Sequence, residues 1–187
     1  MTALEHFKSL YSIDDDLMLL FSQIIETKEF HKGDVIFEPG SYLKYIYFIE
    51  SGLTRIFYFK NNRDITHSFF GANTFSTGIE SVFYQKSSIF GFQSLTNCKI
   101  SLIPFQPIYE LSKTNIIVSQ IIQKVLLGSV ISYSNRFCNT QFQTALERYQ
   151  LLLTENPELF QNASLGHIAS YLGISQQTLS VIRGQVV

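Results

Sequence analysis

The stretch from Lys32 to Phe59 restricts the possible folds more than any other part of the chain. It contains three short apolar runs rich in Ile, Val, Tyr and Phe, and a glycine-containing turn separates each run from the next. Residues of these types fit a pleated, half-buried surface. Pro39 presets φ near about −65° for a turn, and Gly40 and Gly52 can adopt the positive φ that side chains disfavour. The stretch therefore predicts two or three short strands of a β-barrel or β-sandwich.

Turn signals of the same kind continue through residues 30–105, mostly about 8 to 12 residues apart, which is the rhythm of a small barrel or jelly roll. Pro104 and Pro107 close this section. Residues 4–30 instead carry apolar residues at spacings of three and four. We therefore predict helices there, with Ser12 as the N-cap of the second one.

Residues 108–137 return to a helical pattern. One apolar stripe recurs at gaps that average about 3.5 residues, the spacing of a coiled-coil seam. A helix this apolar needs cover from its own barrel, from a second copy of the chain, or from both. We expect both, because the apolar face is wider than one small barrel requires. The predicted dimer-interface residues are Ile117, Ile121, Val125, Gly128, Ile131 and Asn135.

The segment from Ser164 to Arg183 has the pattern of a helix–turn–helix. Ser164 is the expected N-cap of the first helix and Ser175 that of the second, while Gly173 suits the left-handed turn position. The first helix is expected to point Leu165, Ile168, Ala169 and Leu172 inward. An ordinary helical hairpin is the alternative interpretation of the same pattern.

In a helix–turn–helix the second helix enters the major groove, and its N-terminal residues meet base edges. Gln can hydrogen-bond to adenine, Ser can donate to or accept from a base, and Val can contact a thymine methyl group. Residues 141–187 carry two arginines and three glutamates, a charge that weakens attraction to phosphates, and we expect no wing after the second helix. The predicted DNA-binding residues are Ser175, Gln176, Gln177, Thr178, Ser180, Val181 and Arg183.

The 187-residue chain has a formal net charge of −1, so no global basic field indicates a nucleic-acid or membrane partner. Cys98 and Cys138 lack metal-site spacing, and we expect reduced thiols and no resident metal or cofactor. Met1 to Leu20 has no signal-peptide pattern, and no uninterrupted apolar run approaches about 18 residues. We expect a soluble, cytoplasmic protein.

Three motifs in this order are similar to those of the Crp/Fnr family of transcription regulators. They are KGDVIFxxG at Lys32 to Gly40, YFIxxG at Tyr47 to Gly52, and IASYLGISQQTLSVIR at Ile168 to Arg183. The chain resembles especially the short, wingless members with a cyclic-nucleotide-binding-like domain. The resemblance covers essentially the whole chain.

The resemblance implies an α+β fold in three parts. Residues 1–110 would form a double-stranded β-helix (jelly-roll) effector domain with N-terminal helices, 111–138 a dimerisation helix, and 139–187 a helix-turn-helix DNA-binding domain. It also implies a homodimer that binds double-stranded DNA at a palindromic operator. Contact with RNA polymerase and binding of an unknown small-molecule effector are further partners that it allows.

Two departures from the family pattern change these expectations. Cyclic-nucleotide binders carry a Glu for the ribose and an Arg for the cyclic phosphate, whereas this chain has Gly78 near the first position and Ser88 at the second. We therefore expect that cyclic AMP is not the ligand. In the second helix, Gln176 and Val181 replace two arginines of relatives, which would shift readout towards A·T pairs. The predicted effector-pocket residues are Thr77, Gly78, Ile79, Glu80, Ser81, Ser87 and Ser88.

A dimeric DNA-binding regulator is the leading interpretation. The alternative is a ligand sensor or interaction module that has lost DNA binding, which the acidic C-terminal segment favours. A cupin-like enzyme would need clustered His residues, and the barrel segment offers only His31 and His67. We therefore expect no enzyme, and these two His residues to be structural or on the surface rather than haem ligands.

Overall fold

The computed structural model describes residues 1–11 and 13–186. Two helices precede eight β-strands, a short helix lies within the strand region, and six helices complete the described chain. The helices are α1 (Ala3–Leu10), α2 (Asp15–Ile24), α3 (Ile79–Tyr84), α4 (Phe105–Ser112), α5 (Ile116–Phe142), α6 (Ala145–Glu155), α7 (Leu159–Asn162), α8 (Leu165–Leu172) and α9 (Gln176–Val186). The strands are β1 (Glu26–Phe30), β2 (Val35–Phe37), β3 (Tyr45–Ser51), β4 (Thr54–Lys60), β5 (Arg63–Phe70), β6 (Thr74–Ser76), β7 (Gly91–Ser94) and β8 (Cys98–Pro104).

The strands form two antiparallel four-stranded sheets, ordered β1-β8-β3-β6 and β2-β7-β4-β5. Their inner faces enclose a core in which the rings of Phe37, Tyr47 and Phe92 lie 5.4–5.6 Å apart. The predicted α+β class and jelly roll are confirmed.

The three apolar runs of the opening stretch are β2, β3 and β4, as predicted. Gly52 joins β3 to β4 at φ +92°, and a Cβ there would lie 2.6 Å from both Asn97 O and Cys98 Sγ. Backbone conformation and space therefore both require glycine at this turn.

The predicted helical region 4–30 is wrong for its last five residues. Glu26–Phe30 is β1, which pairs with β8 from Glu26↔Leu102 to Phe30↔Cys98. This strand is polar and mostly exposed, so no alternation marked it, and the unpaired edge of β8 decides its structure. Helix α2 is capped by Asp14, whose carboxylate accepts from the Leu17 N–H at 2.8 Å. Ser12, the predicted cap, lies outside the described residues.

The long helix is displaced from its predicted bounds. It begins at Ile116 and ends at Phe142, and the separate helix α4 precedes it. Asn115 causes the break, since its side-chain oxygen accepts from the N–H groups of Ile117 and Val118 at 3.0 and 3.2 Å.

The C-terminal helices share a core with the roll. Leu53 and Leu95 of the roll lie in the same buried cluster as Leu152, Ile168 and Leu179. The expectation that Leu165 points inward is wrong, because its side chain is 38% exposed at the first position of α8. The other three residues predicted to point inward from α8 are buried: Ile168, Ala169 and Leu172.

Candidate DNA interface and effector pocket

Helices α8 and α9 form the predicted helix–turn–helix, and local hydrogen bonds set its geometry. Ser164 Oγ accepts from the His167 N–H at 3.1 Å, and Ser175 Oγ accepts from the Thr178 N–H at 3.1 Å. Gly173 ends α8 at φ +70°, the left-handed conformation expected of it. The two serines therefore satisfy N–H groups that the helix itself leaves free.

Helix α9 has one buried and one exposed face. Leu179 and Ile182 are 0% and 6% exposed and hold the helix against α8. The amide of Gln176 lies close to α8, since a Cβ at Gly166 would meet its Nε2 at 3.0 Å. All of the predicted DNA-binding residues are exposed: Ser175, Gln176, Gln177, Thr178, Ser180, Val181 and Arg183.

The C-terminal segment has little positive charge to offer a phosphate backbone. Its two arginines are Arg148 and Arg183. Arg148 is used inside the protein, where Nη1 donates to Gln143 O at 2.6 Å and Nη2 to Leu172 O at 3.0 Å. These bonds satisfy carbonyls at the ends of α5 and α8. Arg183 is therefore the one arginine of this segment on the exposed face of α9.

Contacts between α8 and β5 hold the helix–turn–helix against the roll. The Thr66 N–H donates to Ser170 Oγ at 3.0 Å. From α5, Arg136 Nη1 donates to Ser68 Oγ at 3.1 Å, and its guanidinium lies 4.5 Å from the centre of the Tyr171 ring. These side chains link α8 to β5 and α5, and α9 packs against α8.

A charge network around the buried Arg55 lies next to this contact. Arg55 is 3% exposed, and its guanidinium makes two bonds of 2.6 Å to the carboxylate of Asp64 and one of 3.1 Å to Thr66 Oγ1. His167 Nε2 lies 4.0 Å from the same carboxylate, which joins α8 to the network. This cluster could not be predicted from the sequence, because Arg55 pairs across the hairpin with Phe69 rather than with Asp64.

A cavity of about 190 Å³ lies in the roll where the effector pocket was predicted. Six of the seven predicted residues line it, and Ser87 does not: the six are Thr77, Gly78, Ile79, Glu80, Ser81 and Ser88. The aromatic wall was not predicted. It includes Phe90, His67 of β5 and Tyr133 of α5. These residues are far apart in the sequence, and no local pattern brings them together.

Three hydroxyl groups of the pocket bond to the protein's own backbone. Ser81 Oγ accepts from the buried Leu43 N–H at 2.7 Å, and Thr77 Oγ1 donates to Tyr45 O at 3.1 Å. Ser88 Oγ bonds to the N–H and C=O of Phe90 at 3.1 and 3.2 Å. Among the described lining residues the one formal charge is the carboxylate of Glu80. A cyclic phosphate would therefore meet no cation here.

His67 is a neutral member of this pocket at pH 7. Burial lowers its pKa from 6.5 to about 4, and the positive charge of Arg136 acts in the same direction. Its Nδ1 lies 2.9 Å from Ser68 Oγ, and the same oxygen accepts a hydrogen bond from Arg136. The imidazole is thus hydrogen-bonded on one side and forms part of the cavity wall.

Comparison with known proteins agrees with this architecture. Residues 27–115 match the cyclic nucleotide-binding domain family. Electron transport regulator A of Shewanella oneidensis is 25% identical over 174 residues, which cover 87% of this chain and 69% of that protein. The chain has the Crp/Fnr fold, and the part that matches the cyclic nucleotide-binding domain family is the roll with α4.

Two solved structures show the extent of the fold match. FixK2 of Bradyrhizobium japonicum superposes with a TM-score of 0.72 at 16% identity, over 87% of this chain and 84% of that one. A regulator assigned to the Crp/Fnr family, from Eubacterium rectale, gives a TM-score of 0.75 at 14% identity, over 95% and 85%. The neighbours of this Crp/Fnr fold are transcription regulators.

Within the Crp/Fnr fold of this chain, the predicted interface stripe of α5 is divided. Ile121 is 6% exposed in the core formed with α1 and α2, so its side chain is not free for a partner. Ile117 packs against the same core, and Val125 lines a second cavity of about 670 Å³ between α1, the roll and the C-terminal helices. The later members of the stripe, Gly128, Ile131 and Asn135, are exposed.

Large apolar side chains surround the exposed part of the α5 stripe. Leu127, Val130, Ile131 and Phe137 are between 53% and 63% exposed. Helix α5 is also long and apolar enough, by length and composition, to cross a membrane: its best 18-residue window has a mean hydropathy of 1.5 and is 11% buried. No uninterrupted apolar run marks this helix in the sequence, because Ser, Gln and Gly interrupt it. Such a single helix is weak evidence for membrane insertion.

Proposed function

We propose that the chain is a homodimeric, DNA-binding transcription regulator whose effector domain does not use cyclic AMP. The observation that carries this proposal is the exposed face of α9, with the capped N-terminus of the helix at one end. Gln177 and Ser180 on that face supply the donors and acceptors that read base edges in a major groove. The Ser175 hydroxyl and the helix N-terminus suit a phosphate contact.

Dimer formation is supported by the exposed apolar half of α5. A contiguous apolar face on a soluble protein marks an interaction site. A second copy related by two-fold symmetry would cover the face with the same residues, so we propose Gly128, Ile131 and Asn135 as its centre. Two recognition helices related by this symmetry would select a palindromic operator.

The same proposal extends to the location and partners of the protein. We infer a cytoplasmic location, contact with RNA polymerase as one route of action, and no catalytic role. The support is the fold neighbours, which are transcription regulators. Among the described residues, no three His, Cys, Asp or Glu side chains lie together as a metal site would require.

The proposal is tested by selecting bound sequences from a randomised duplex pool at low salt. We expect enrichment of one palindromic site. The variant Gln177→Ala should bind this site at least fivefold more weakly, because one base contact is worth about 1–3 kcal/mol. Gln185→Ala is the matched control, since Gln185 is another exposed glutamine near the other end of α9 and should leave binding unchanged.

A ligand sensor or interaction module without DNA binding is the second candidate. The observation that favours it is the low positive charge of the C-terminal segment, together with the internal use of Arg148. A dimer that enriches no sequence at low salt would support this candidate and overturn the first.

A further inference from the structure

The effector pocket has the size of a single-ring molecule. Its volume is about 190 Å³. A dry, apolar cavity of about 150 Å³ accepts benzene, so this pocket has room for one aromatic ring and a small substituent. It is smaller than the roughly 300 Å³ at which pockets for larger ligands begin.

The walls of the pocket are mainly aromatic. The His67 ring lies 4.8 Å from the Phe90 ring and 5.9 Å from the Tyr133 ring, centre to centre, and Phe37 and Phe70 also line the space. Offset and edge-to-face arrangements at such distances are those that aromatic pairs prefer. A planar ring inserted here would meet ring faces and edges on several sides.

The charges of the pocket select against anions. Thr77 and Ser88 donate their hydroxyl protons to backbone carbonyls, and Glu80 is the one charged residue among the described lining residues. An anionic ligand would therefore lose its water shell without gaining a cation.

His67 supplies this pocket with a hydrogen-bond donor on its ring. Arg136 occupies one acceptor position of Ser68 Oγ, so the Ser68 hydroxyl proton is available to His67 Nδ1. This assignment places the proton of the neutral imidazole on Nε2. Among the described residues, the hydrogen bond of this imidazole is the one at Nδ1, which leaves Nε2 for a ligand.

We propose that this pocket binds an uncharged, single-ring aromatic molecule with one hydrogen-bond acceptor, which takes its bond from His67 Nε2. The regulatory meaning of this binding rests on the proposed function. The binding itself does not, since the pocket lies in the roll and no residue of α9 lines it.

The test titrates the full chain with each of three probes: benzamide, benzoate and cyclic AMP. Ligand-observed NMR or calorimetry measures the binding. Benzamide and benzoate have the same size and differ in charge. We expect saturable binding of benzamide at a Kd on the order of 1 mM, as its size allows. Benzoate and cyclic AMP should each bind at least tenfold more weakly.

Two substitutions at His67 test the donor. His67→Phe keeps the ring between its aromatic neighbours and removes the donor, so benzamide should bind about five- to tenfold more weakly. His67→Gln keeps a donor and should retain most of the affinity. His6→Phe is the matched control, because His6 lines the adjacent 670 Å³ cavity and should leave benzamide binding unchanged.

Several results would overturn the proposal. They are equal affinity for benzoate or cyclic AMP, no saturation by benzamide up to about 10 mM, or loss of binding through His6→Phe rather than His67→Phe. The titration contains no DNA. Its result can therefore be interpreted even if the DNA selection fails.

Discussion

Replacing Ile131 with Asp should dissociate the proposed dimer. The side chain is 60% exposed in the single chain, at the centre of the apolar face of α5. Burying a whole Ile side chain is worth about 1.5–3 kcal/mol. Its exposed part therefore contributes about 1–2 kcal/mol per chain, and two-fold symmetry counts it twice.

The total loss is about 2–4 kcal/mol, or a dimer Kd raised roughly 30- to 1,000-fold. An unpaired carboxylate in the interface adds to this loss. Sedimentation velocity over a concentration series measures the change directly.

Phe59→Asp is the matched control for this prediction. Phe59 is 61% exposed, but it lies on β4 of the roll. Its replacement should leave the dimer intact. The reasoning fails if wild-type protein is monomeric at micromolar concentration, if Ile131→Asp stays as dimeric as wild type, or if Phe59→Asp dissociates it equally.

Three further predictions concern stability and DNA affinity. Gly52→Ala should lower the free energy of unfolding by more than about 2 kcal/mol in urea denaturation, because its Cβ would meet Cys98 and a positive φ is required. Gly184→Ala, in an open helical position, should lose nothing. His67 has a pKa of about 4 in the folded chain against about 6.5 unfolded, so its neutral form favours folding above pH 6.5, and that preference is lost as pH falls from 6.5 to 4. His67→Phe should therefore be less sensitive to acid than wild type over this range. Arg148→Met should cost about 1.5–3 kcal/mol of stability by freeing two carbonyls, whereas Arg183→Met should leave stability unchanged and reduce the salt dependence of DNA binding by about one phosphate contact.

The helix–turn–helix could be predicted from the sequence because its geometry depends on neighbours. The Ser164 and Ser175 hydroxyls each cap an N–H three residues later, and Gly173 adopts its own backbone conformation. The turn at Gly52 was predictable for the same reason.

Strand β1 and the exposed side of Leu165 could not be read in this way. β1 is polar, and its conformation comes from pairing with β8 about seventy residues later. Leu165 fits the helical apolar pattern, but it occupies the first turn of α8, where the other helices do not cover it. In both cases a distant element decides the outcome.

One part of the effector pocket could be predicted from the sequence, and the other part could not. The segment from Thr77 to Ser88 was located from the sequence, and the absence of a suitably placed Arg was already visible there. The aromatic wall and the donor of His67 come from β5 and α5, which meet this segment only after folding.

The sequence by itself determined the strand-rich roll, the caps of the helix–turn–helix and the apolar character of α5, because these depend on residue types and short spacings. The tertiary structure decided which part of α5 is available: Ile121 packs against α1 and α2, while Ile131 remains exposed. It also decided that Arg148 bonds two carbonyls rather than facing outward. Burial and electrostatic pairing depend on groups that are close in space, and sequence distance does not reveal them.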